Sequence, residues 1–428
     1  MSVIIASLVG LFFLLLAGGV WIGISMIATG IAGLELFRNM PVDRVLGQSL
    51  FNTLSSTELL ALPLFILMAE LLFRTRMSEN MFNGLAPWTG WLPGRLLHIN
   101  IIASTLFAAV SGSSAATATT VGRITLTELD KRGYDRQIAI GSLAGASTIG
   151  FLIPPSLPMI IYGVLAEVSI LKLFIAGIVP GLLLACGFSL MTMLLVRLRG
   201  GDRAGAERYT TRDRRNSIRR LGPVTALIVM LITALYSGFA SPTEAAAIGV
   251  AGALLIAALT RDLSLAALRD AGLATIRTSA MLALITGGGA FLSVAFNYLG
   301  VPTHVVGLVN AADLSPTAII LTFLVVYLIL GAVLDGMSMI IVTLPVTLPA
   351  VVAAGWDPLW FGIFLVVTIE MAQLTPPIGF NLFVVQGVTG ESIACITRAA
   401  APYFAVLVVL ILLMIAFPGL ILWLPGSM

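Results

Sequence analysis

Charge is scarce in this chain. Only 10% of its 428 residues are Asp, Glu, Lys or Arg, and it holds two histidines and two cysteines. Each shortage closes off a class of function. The only lysines, Lys131 and Lys172, follow Asp130 and Leu171, so no GxxxxGK[ST] loop exists to cradle a nucleotide and the chain does not hydrolyse ATP. A Ser/Lys or Ser/His pair for intramembrane hydrolysis would need a basic partner at mid-depth, and none is placed there, so no catalytic residue is assigned. His98 and His304 fall at predicted interfaces with no metal-ligand spacing around them. Cys186 and Cys395 lie in apolar stretches, too few and too buried for a disulfide framework. The net charge of +3 does not argue for nucleic acid, because the arginines sit in short connections between apolar runs. The N-terminus lacks the basic region of a secretory signal and continues into further apolar sequence, which reads as a retained first span.

What replaces charge is hydrophobic sequence, 59% of the residues, the composition of an all-α polytopic membrane protein. Apolar runs of about 20 residues cross a bilayer as helices. In the first half they fall near 3–18, 20–37 and 57–73, followed by an amphipathic arm at 77–91 whose Trp88 and Trp91 suit an interface. The two arms of 98–130 are each too short to span and meet at Ser111 to Ser114, which predicts a re-entrant hairpin. Residues 135–168 read as a helix broken around Ser147 to Pro155, and 169–196 complete the half. The second half gives spans at 222–240, 243–260 and 279–296, a surface segment at 300–312, a hairpin at 315–353, a broken helix at 358–388 and a last span at 392–424. The total is ten spans and two re-entrant hairpins.

The stretch from Ser111 to Pro158 gathers small hydroxyl residues, glycines and a Pro-Pro pair between SGSSAATATTVG and GASTIGFLIPPSLP. Backbone polar groups freed by Gly and Pro cannot face hydrocarbon; such chain survives at membrane depth only where protein buries it or water reaches it. It therefore reads as a binding site. The pattern returns. An offset of 222 lays Gly133-Tyr134-Asp135 on Gly355-Trp356-Asp357 and Pro154-Pro155 on Pro376-Pro377, while Ser111-Gly112 meets Asp335-Gly336 after a slip of about two residues. Two repeats are expected, 1–205 and 223–428, with an Arg-rich linker over 197–222. Paired Gly/Pro-interrupted segments in corresponding halves point to a transporter's substrate site; the plainer alternative is two unrelated kinked helices.

By the positive-inside rule the linker is cytoplasmic. That places Arg74, Arg76, Arg95, Lys131, Arg132 and Arg136 inside, together with Arg261, Arg269, Arg277 and Arg398. The connections 299–315 and 354–358 carry Asp313 and Asp357 but no Lys or Arg, and fall outside. The two hairpins thus open to opposite faces, as inverted-topology repeats require. Arg38 and Arg44 come out on the outer face beside Glu35 and Asp43.

A buried small cation takes several oxygen ligands, which broken helices and hairpin tips supply as carbonyls and hydroxyls. The donors in the first copy would be Ser111, Ser113 and Ser114, with Gly145 and Ser147 opposite; the second offers Asp335, Gly336, Met337 by its carbonyl, Ser338, Gln373 and Thr375. Any single serine here could instead bond back to its own helix. Charged groups at mid-depth cost roughly 2.5 to 3.5 kcal/mol and are functional suspects. Arg123 either counters an anionic substrate or snorkels to the interface; Glu370 is either a structural anchor, the reading favoured here, or a proton carrier.

With SGSSAATATTVG, KRGYD, IGSLAGASTIGFLIPPS and TPPIGFN in hand, the chain resembles, over essentially its whole length, the large membrane subunit of the tripartite ATP-independent periplasmic (TRAP) transporters. The resemblance implies an ion transporter superfamily-like fold, a scaffold and a mobile core moving as an elevator, and a sodium-driven importer of organic acids in a bacterial or archaeal inner membrane. It implies two protein partners, a small four-helix membrane subunit on a separate chain and a periplasmic substrate-binding protein. No cofactor is expected beyond sodium as coupling ion. Carried over by residue, one sodium site falls on Ser111, Gly112, Ser113, Ser114, Gly145 and Ser147. The other falls on Asp335, Gly336, Met337, Ser338, Gln373 and Thr375. Substrate is expected near Thr148, Pro154, Pro155, Thr375, Pro376, Pro377 and Asn381. The alternative is a passive channel or facilitator for small organic anions.

Overall fold

The computed structural model describes residues 1–38, 40–75, 77–199, 209–331, 333–376 and 379–427. Among these residues every regular element is helical. One group of helices is held together by glycine. Leu265–Leu299 lies along Ile22–Phe37 and along a bent pair, Val42–Leu54 and Thr57–Phe73, which departs from a straight line by 55° at its break. A Cβ on Gly288 would stand 2.6 Å from the Gly23 carbonyl oxygen, and one on Gly23 would stand 2.7 Å from that of Leu284. Only small residues allow two helices this close inside a membrane. Pro242–Leu259 packs on Ala61–Phe73, with Gly249 against the Met68 sulfur.

The centre of the molecule is Pro358–Gln373, in which every residue from Trp360 to Gln373 is buried. A helix apolar on all sides belongs in a core, and this one is wrapped by Leu157–Ala166, Ile170–Leu198, Pro316–Leu330, Gly336–Ala353 and Ile393–Ala416. The first hairpin is His98–Ser111 and Ser114–Lys131, turned by Gly112 at φ 55°. The second is Pro316–Leu330 and Gly336–Ala353. The first broken helix runs Arg136–Ser147, a 3-10 turn Thr148–Phe151, then Leu157–Ala166; the second runs Pro358–Gln373, then Phe380–Thr389.

The offset of 222 reappears in the helix starts. Ser113 and Asp335 are the N-caps of the returning hairpin arms, and Asp135 and Asp357 are the N-caps of the broken helices. Gly133 and Gly355, at φ 74° and 87°, make the turns just before. The two-residue slip expected at the hairpin tips is therefore unnecessary. Capping is what aligns them, and Ser and Asp are interchangeable as caps, so Ser114 rather than Gly112 corresponds to Gly336.

Other expectations change at the ends of elements. The span predicted at 279–296 is part of the 35-residue helix Leu265–Leu299, and that at 57–73 is one limb of the bent pair. The last span stops at Ala416 before Pro418, and Gly419–Gly426 follows separately. The helix Thr211–Tyr236 starts inside the Arg-rich stretch, because Thr210 and Asp213 form a capping box. By length and composition alone, six helices of the described residues could cross a membrane, or seven counting the bent pair as one. The count of ten included broken helices and short ones such as Ser2–Ala17 and Ile22–Phe37, whose 16 residues reach only about 24 Å at 1.5 Å per residue.

Candidate functional site

The first hairpin tip is seated on the break of the first broken helix. A Cβ on Gly112 would stand 2.8 Å from the Pro155 carbonyl oxygen, and one on Gly150 would stand 2.8 Å from both Cα and N of Ser114. Backbone meets backbone at both points. Within the tip, the Ser111 and Thr117 hydroxyls lie 3.0 Å apart, and the Thr117 hydroxyl donates to the Ser113 carbonyl at 2.8 Å. Ser113 caps the returning arm, accepting the Ala116 N–H at 3.4 Å.

The remaining members of the first set lie across from this tip. The Ser147 hydroxyl donates back to the Ala144 carbonyl at 2.8 Å, and the Thr148 hydroxyl to the Gly145 carbonyl at 2.7 Å. Both hydroxyls are thus committed to their own helix, the commoner fate of a serine or threonine in a span. Gly145 is small because Tyr403 occupies the space a Cβ would need, 2.6 Å away. The Gly145 carbonyl already accepts both the Thr148 hydroxyl and the Thr148 N–H, so a ligand there would share it.

The second tip differs in its chemistry. Asp335 Oδ2 accepts the N–H groups of Met337 and Ser338 at 3.1 and 3.4 Å, and Oδ1 accepts the Ser338 hydroxyl. Its carboxylate is therefore engaged within its own turn as a cap. Gly336 is pressed against the central helix: a Cβ there would stand 2.6 Å from Ile369, 2.7 Å from the Gln373 side-chain nitrogen and 3.0 Å from the Phe151 ring. Gln373 is buried, and Thr375 donates its hydroxyl to the Met371 carbonyl at 2.9 Å. Gly379 closes the second break against the Gln373 and Thr375 carbonyls.

Of the expected substrate residues, Pro154 and Pro155 are buried at the first break and Pro376 is exposed. Pro377 lies outside the described residues. Asn381 is fully buried in the first turn of Phe380–Thr389, and neither its amide nitrogen nor its oxygen has a protein partner. An unpaired buried amide is costly, and this one is available to a polar ligand.

The structure also joins residues that the sequence had left apart. The Ser114 hydroxyl donates to Glu370 Oε1, linking the first tip to the central helix over 256 positions, and Glu370 is fully buried. Glu370 and Gln373, one helical turn apart, thus reach one tip each, with Phe151 touching the second tip as well. The aligned caps were the missing signal: the offset pairs Ser114 with Gly336 and Phe151 with Gln373, so each tip and each break has its counterpart.

A cavity of about 970 Å³ lies elsewhere, between residues 49–58 and 289–297 on one side and 163–171 and 341–349 on the other. Glu58 and Glu167 line it with Ser49, Asn52, Ser293 and Asn297, and no candidate ion or substrate residue does. It is a seam of mixed polar and apolar lining between helix groups, separate from the constellation at the tips.

A model of the family described as tripartite ATP-independent periplasmic transporter, DctM component, matches residues 9–420. The C4-dicarboxylate TRAP transporter large permease protein DctM of Pseudomonas aeruginosa is 33% identical over 384 residues, 90% of each chain. The ectoine/5-hydroxyectoine TRAP transporter large permease protein UehC of Ruegeria pomeroyi is 31% identical over 404 residues, 94% of each chain. Among solved structures, the YdaH transporter of Alcanivorax borkumensis has a similar fold, with a TM-score of 0.66 over 87% of each chain at 15% identity. The chain therefore belongs to the DctM component family of the tripartite ATP-independent periplasmic transporters, and is a multi-pass integral protein of the bacterial inner membrane.

Proposed function

We propose that this chain is the translocating subunit of a sodium-coupled importer of an organic carboxylate, working by an elevator-type alternation with two inverted repeats. The observation that carries the reading is that both hairpin tips are seated on the last turns of one buried helix, Gly336 against Gln373 and Ser114 against Glu370. Such a junction holds carbonyl and hydroxyl oxygens away from lipid, the donor set that suits a small hard cation. The carbonyls of Ser113 and Gly145, once the Thr117 and Thr148 hydroxyls that now donate to them turn away, and the Ser114 hydroxyl would hold the ion at the first tip; the Gln373 amide and the backbone around Gly336 would do so at the second. Bound sodium supplies positive charge beside which an anionic substrate is stable, and Asn381 presents an unpaired amide for that substrate.

This seam supports a moving core. It lies between Val42–Leu54 and Leu265–Leu299 on one side and the second hairpin and first broken helix on the other. A tight contact is kept where a Cβ on Gly289 would collide with Ile341; the hairpin and broken helix would slide past it as units. Relatives named for C4-dicarboxylates and for ectoine support a small carboxylate as cargo. Following the family, the chain would act with a small membrane subunit and a periplasmic binding protein that delivers the substrate. Each inward sodium gains roughly 2.3 kcal/mol per 100 mV and about 1.4 kcal/mol per tenfold gradient, enough for two ions to concentrate a solute strongly. Co-reconstituted with both partners in liposomes, the protein is expected to accumulate substrate only under an inward sodium gradient. Uptake unaffected by replacing sodium with choline overturns the coupling, and downhill flux without accumulation favours a passive facilitator.

A further inference from the structure

Glu370 is a carboxylate with half its chemistry unanswered. Oε1 accepts the Ser114 hydroxyl, while Oε2 is buried without any hydrogen-bond partner, and no Lys, Arg or His among the described residues is paired with the group. The hydroxyls of the tyrosines on the surrounding helices are engaged elsewhere: Tyr162 on the Pro358 carbonyl, Tyr327 on Thr343 and Thr347, Tyr403 on Thr192. Neither proton state satisfies Oε2 within the protein. A proton there would have no acceptor, a proton on Oε1 shared with Ser114 would leave Oε2 a carbonyl oxygen without a donor, and an ionised oxygen would have no donor or countercharge, which a buried carboxylate requires. The group also sits in the last turn of Pro358–Gln373, at the negative end of the helix dipole, where a cation is favoured and an anion is not.

We propose that Glu370 is the anionic ligand of a monovalent-cation site between the first hairpin tip and the central helix, with the Ser114 hydroxyl as a second oxygen. The site takes its charge from the second half of the chain and its hydroxyl from the first, so an ion bound there pins the tip of one half to the other. One carboxylate among neutral oxygens balances a single positive charge. A divalent ion would leave a net charge buried in apolar surroundings, and no group of three His, Cys, Asp or Glu suited to a metal exists among the described residues. The offset underlines the asymmetry: the counterpart of Glu370 is Thr148, whose hydroxyl is committed to the Gly145 carbonyl. This inference rests on the sodium-coupled reading above and extends it.

The test uses the full-length chain purified in detergent and reads melting temperature and sodium-22 binding against NaCl, KCl and choline chloride, without transport. A ligand that binds only the folded state raises the melting temperature with its concentration. The wild type is expected to be stabilised by sodium and not by choline. Glu370→Gln keeps an acceptor for Ser114 and removes the charge; its sodium midpoint is expected to move at least tenfold higher, with melting in choline unchanged or raised. Ser114→Ala is expected to move the midpoint in the same direction by a smaller factor. A structural anchor predicts the reverse pattern, an unchanged sodium midpoint with lower melting in choline, and that result overturns the proposal. If Glu370→Gln does not fold, Ser114→Ala decides: an unchanged midpoint there overturns it equally. A wild type with no response to sodium in binding, melting or uptake removes the sodium-coupled reading itself, whereas a responsive wild type beside an unshifted Glu370→Gln removes only this site.

Discussion

The Tyr162 hydroxyl donates to the Pro358 carbonyl at 2.6 Å while its ring lies against Gly362, so close that a Cβ there would stand 2.6 Å from the ring carbon Cε1. One side chain from the first broken helix thus clamps the opening turn of the central helix in the other half. Phe361 meets the same ring edge-on at a centroid distance of 6.4 Å.

Gly362→Ala is expected to destabilise more than Tyr162→Phe. The alanine methyl would also meet Leu173 at 2.8 Å, and overpacking of this kind costs about 1 to 3 kcal/mol. The phenylalanine loses one hydrogen bond, about 1 kcal/mol. Thermal melts in detergent give the order directly. A Gly362→Ala protein that melts with the wild type would show that the two halves do not pack here as described.

Gly150→Ala tests whether the first tip must seat on the first break. The added methyl meets Ser114 Cα and N and the Ser113 carbonyl carbon, backbone atoms that cannot swing aside, so the tip itself must move. Uptake is expected to fall at least tenfold while the protein still inserts in the membrane. Gly272→Ala is the control: nothing lies within 4 Å of its Cβ position, and the helix gains up to about 1 kcal/mol of propensity. Equal activity of the two variants would separate the tip contact from transport.

Much of this arrangement was written in the sequence because its physics is local. Small residues at Ser111 to Ser114 and at Gly145 to Ser147, and prolines after each break, are demanded by chain geometry wherever the chain folds. What the sequence hid depends on distant packing. Nothing near Glu370 names Ser114 as its partner, and nothing near Gly145 announces the Tyr403 ring. Asp335 read as an ion donor, but a cap two or three residues from the N–H groups it serves is equally local, and its spacing to Met337 and Ser338 was legible. The bend between Leu54 and Thr57 and the full length of Leu265–Leu299 escaped because their outer turns carry polar residues, which an apolar-run reading cuts away.

Stability toward acid is expected to track Asp135. Burial pushes its carboxyl up, but the Ile138 N–H at 3.0 Å and the Arg199 guanidinium outweigh it and hold the group below its ordinary 3.8. A depressed carboxyl stabilises the fold above its unfolded value, and that contribution is lost as pH falls through the lower folded value. Asp135→Ala is therefore expected to cost about 1 kcal/mol at pH 7, the worth of an N-cap. The Arg199 pair adds little, because its partners are 44% and 40% exposed and water screens them. Asp135→Asn, which keeps an acceptor, is expected to lose less. The gap between wild type and Asp135→Ala in melting temperature should narrow on going from pH 7 to pH 3; a gap of constant size would assign the effect to something other than ionisation.

Opposite orientation of the two hairpins is expected from the charges at their mouths. Lys131, Arg132 and Arg136 crowd the mouth of the first, whereas the approach to the second, through Asp313, carries no Lys or Arg. Positive residues stay in the cytoplasm because translocating them against the membrane potential is costly. With Cys186 and Cys395 replaced by serine, single cysteines at Lys131 and Ala312, both exposed, are expected to respond differently to a membrane-impermeant maleimide. In spheroplasts the reagent should label Ala312→Cys and leave Lys131→Cys untouched, and after lysis it should label both. Arg215→Cys, also exposed and at the start of Thr211–Tyr236, should follow Lys131→Cys. Labelling of Lys131→Cys and Ala312→Cys from one and the same side would mean that the hairpins enter together, and two tips meeting the central helix from a single face could not exchange access across the bilayer.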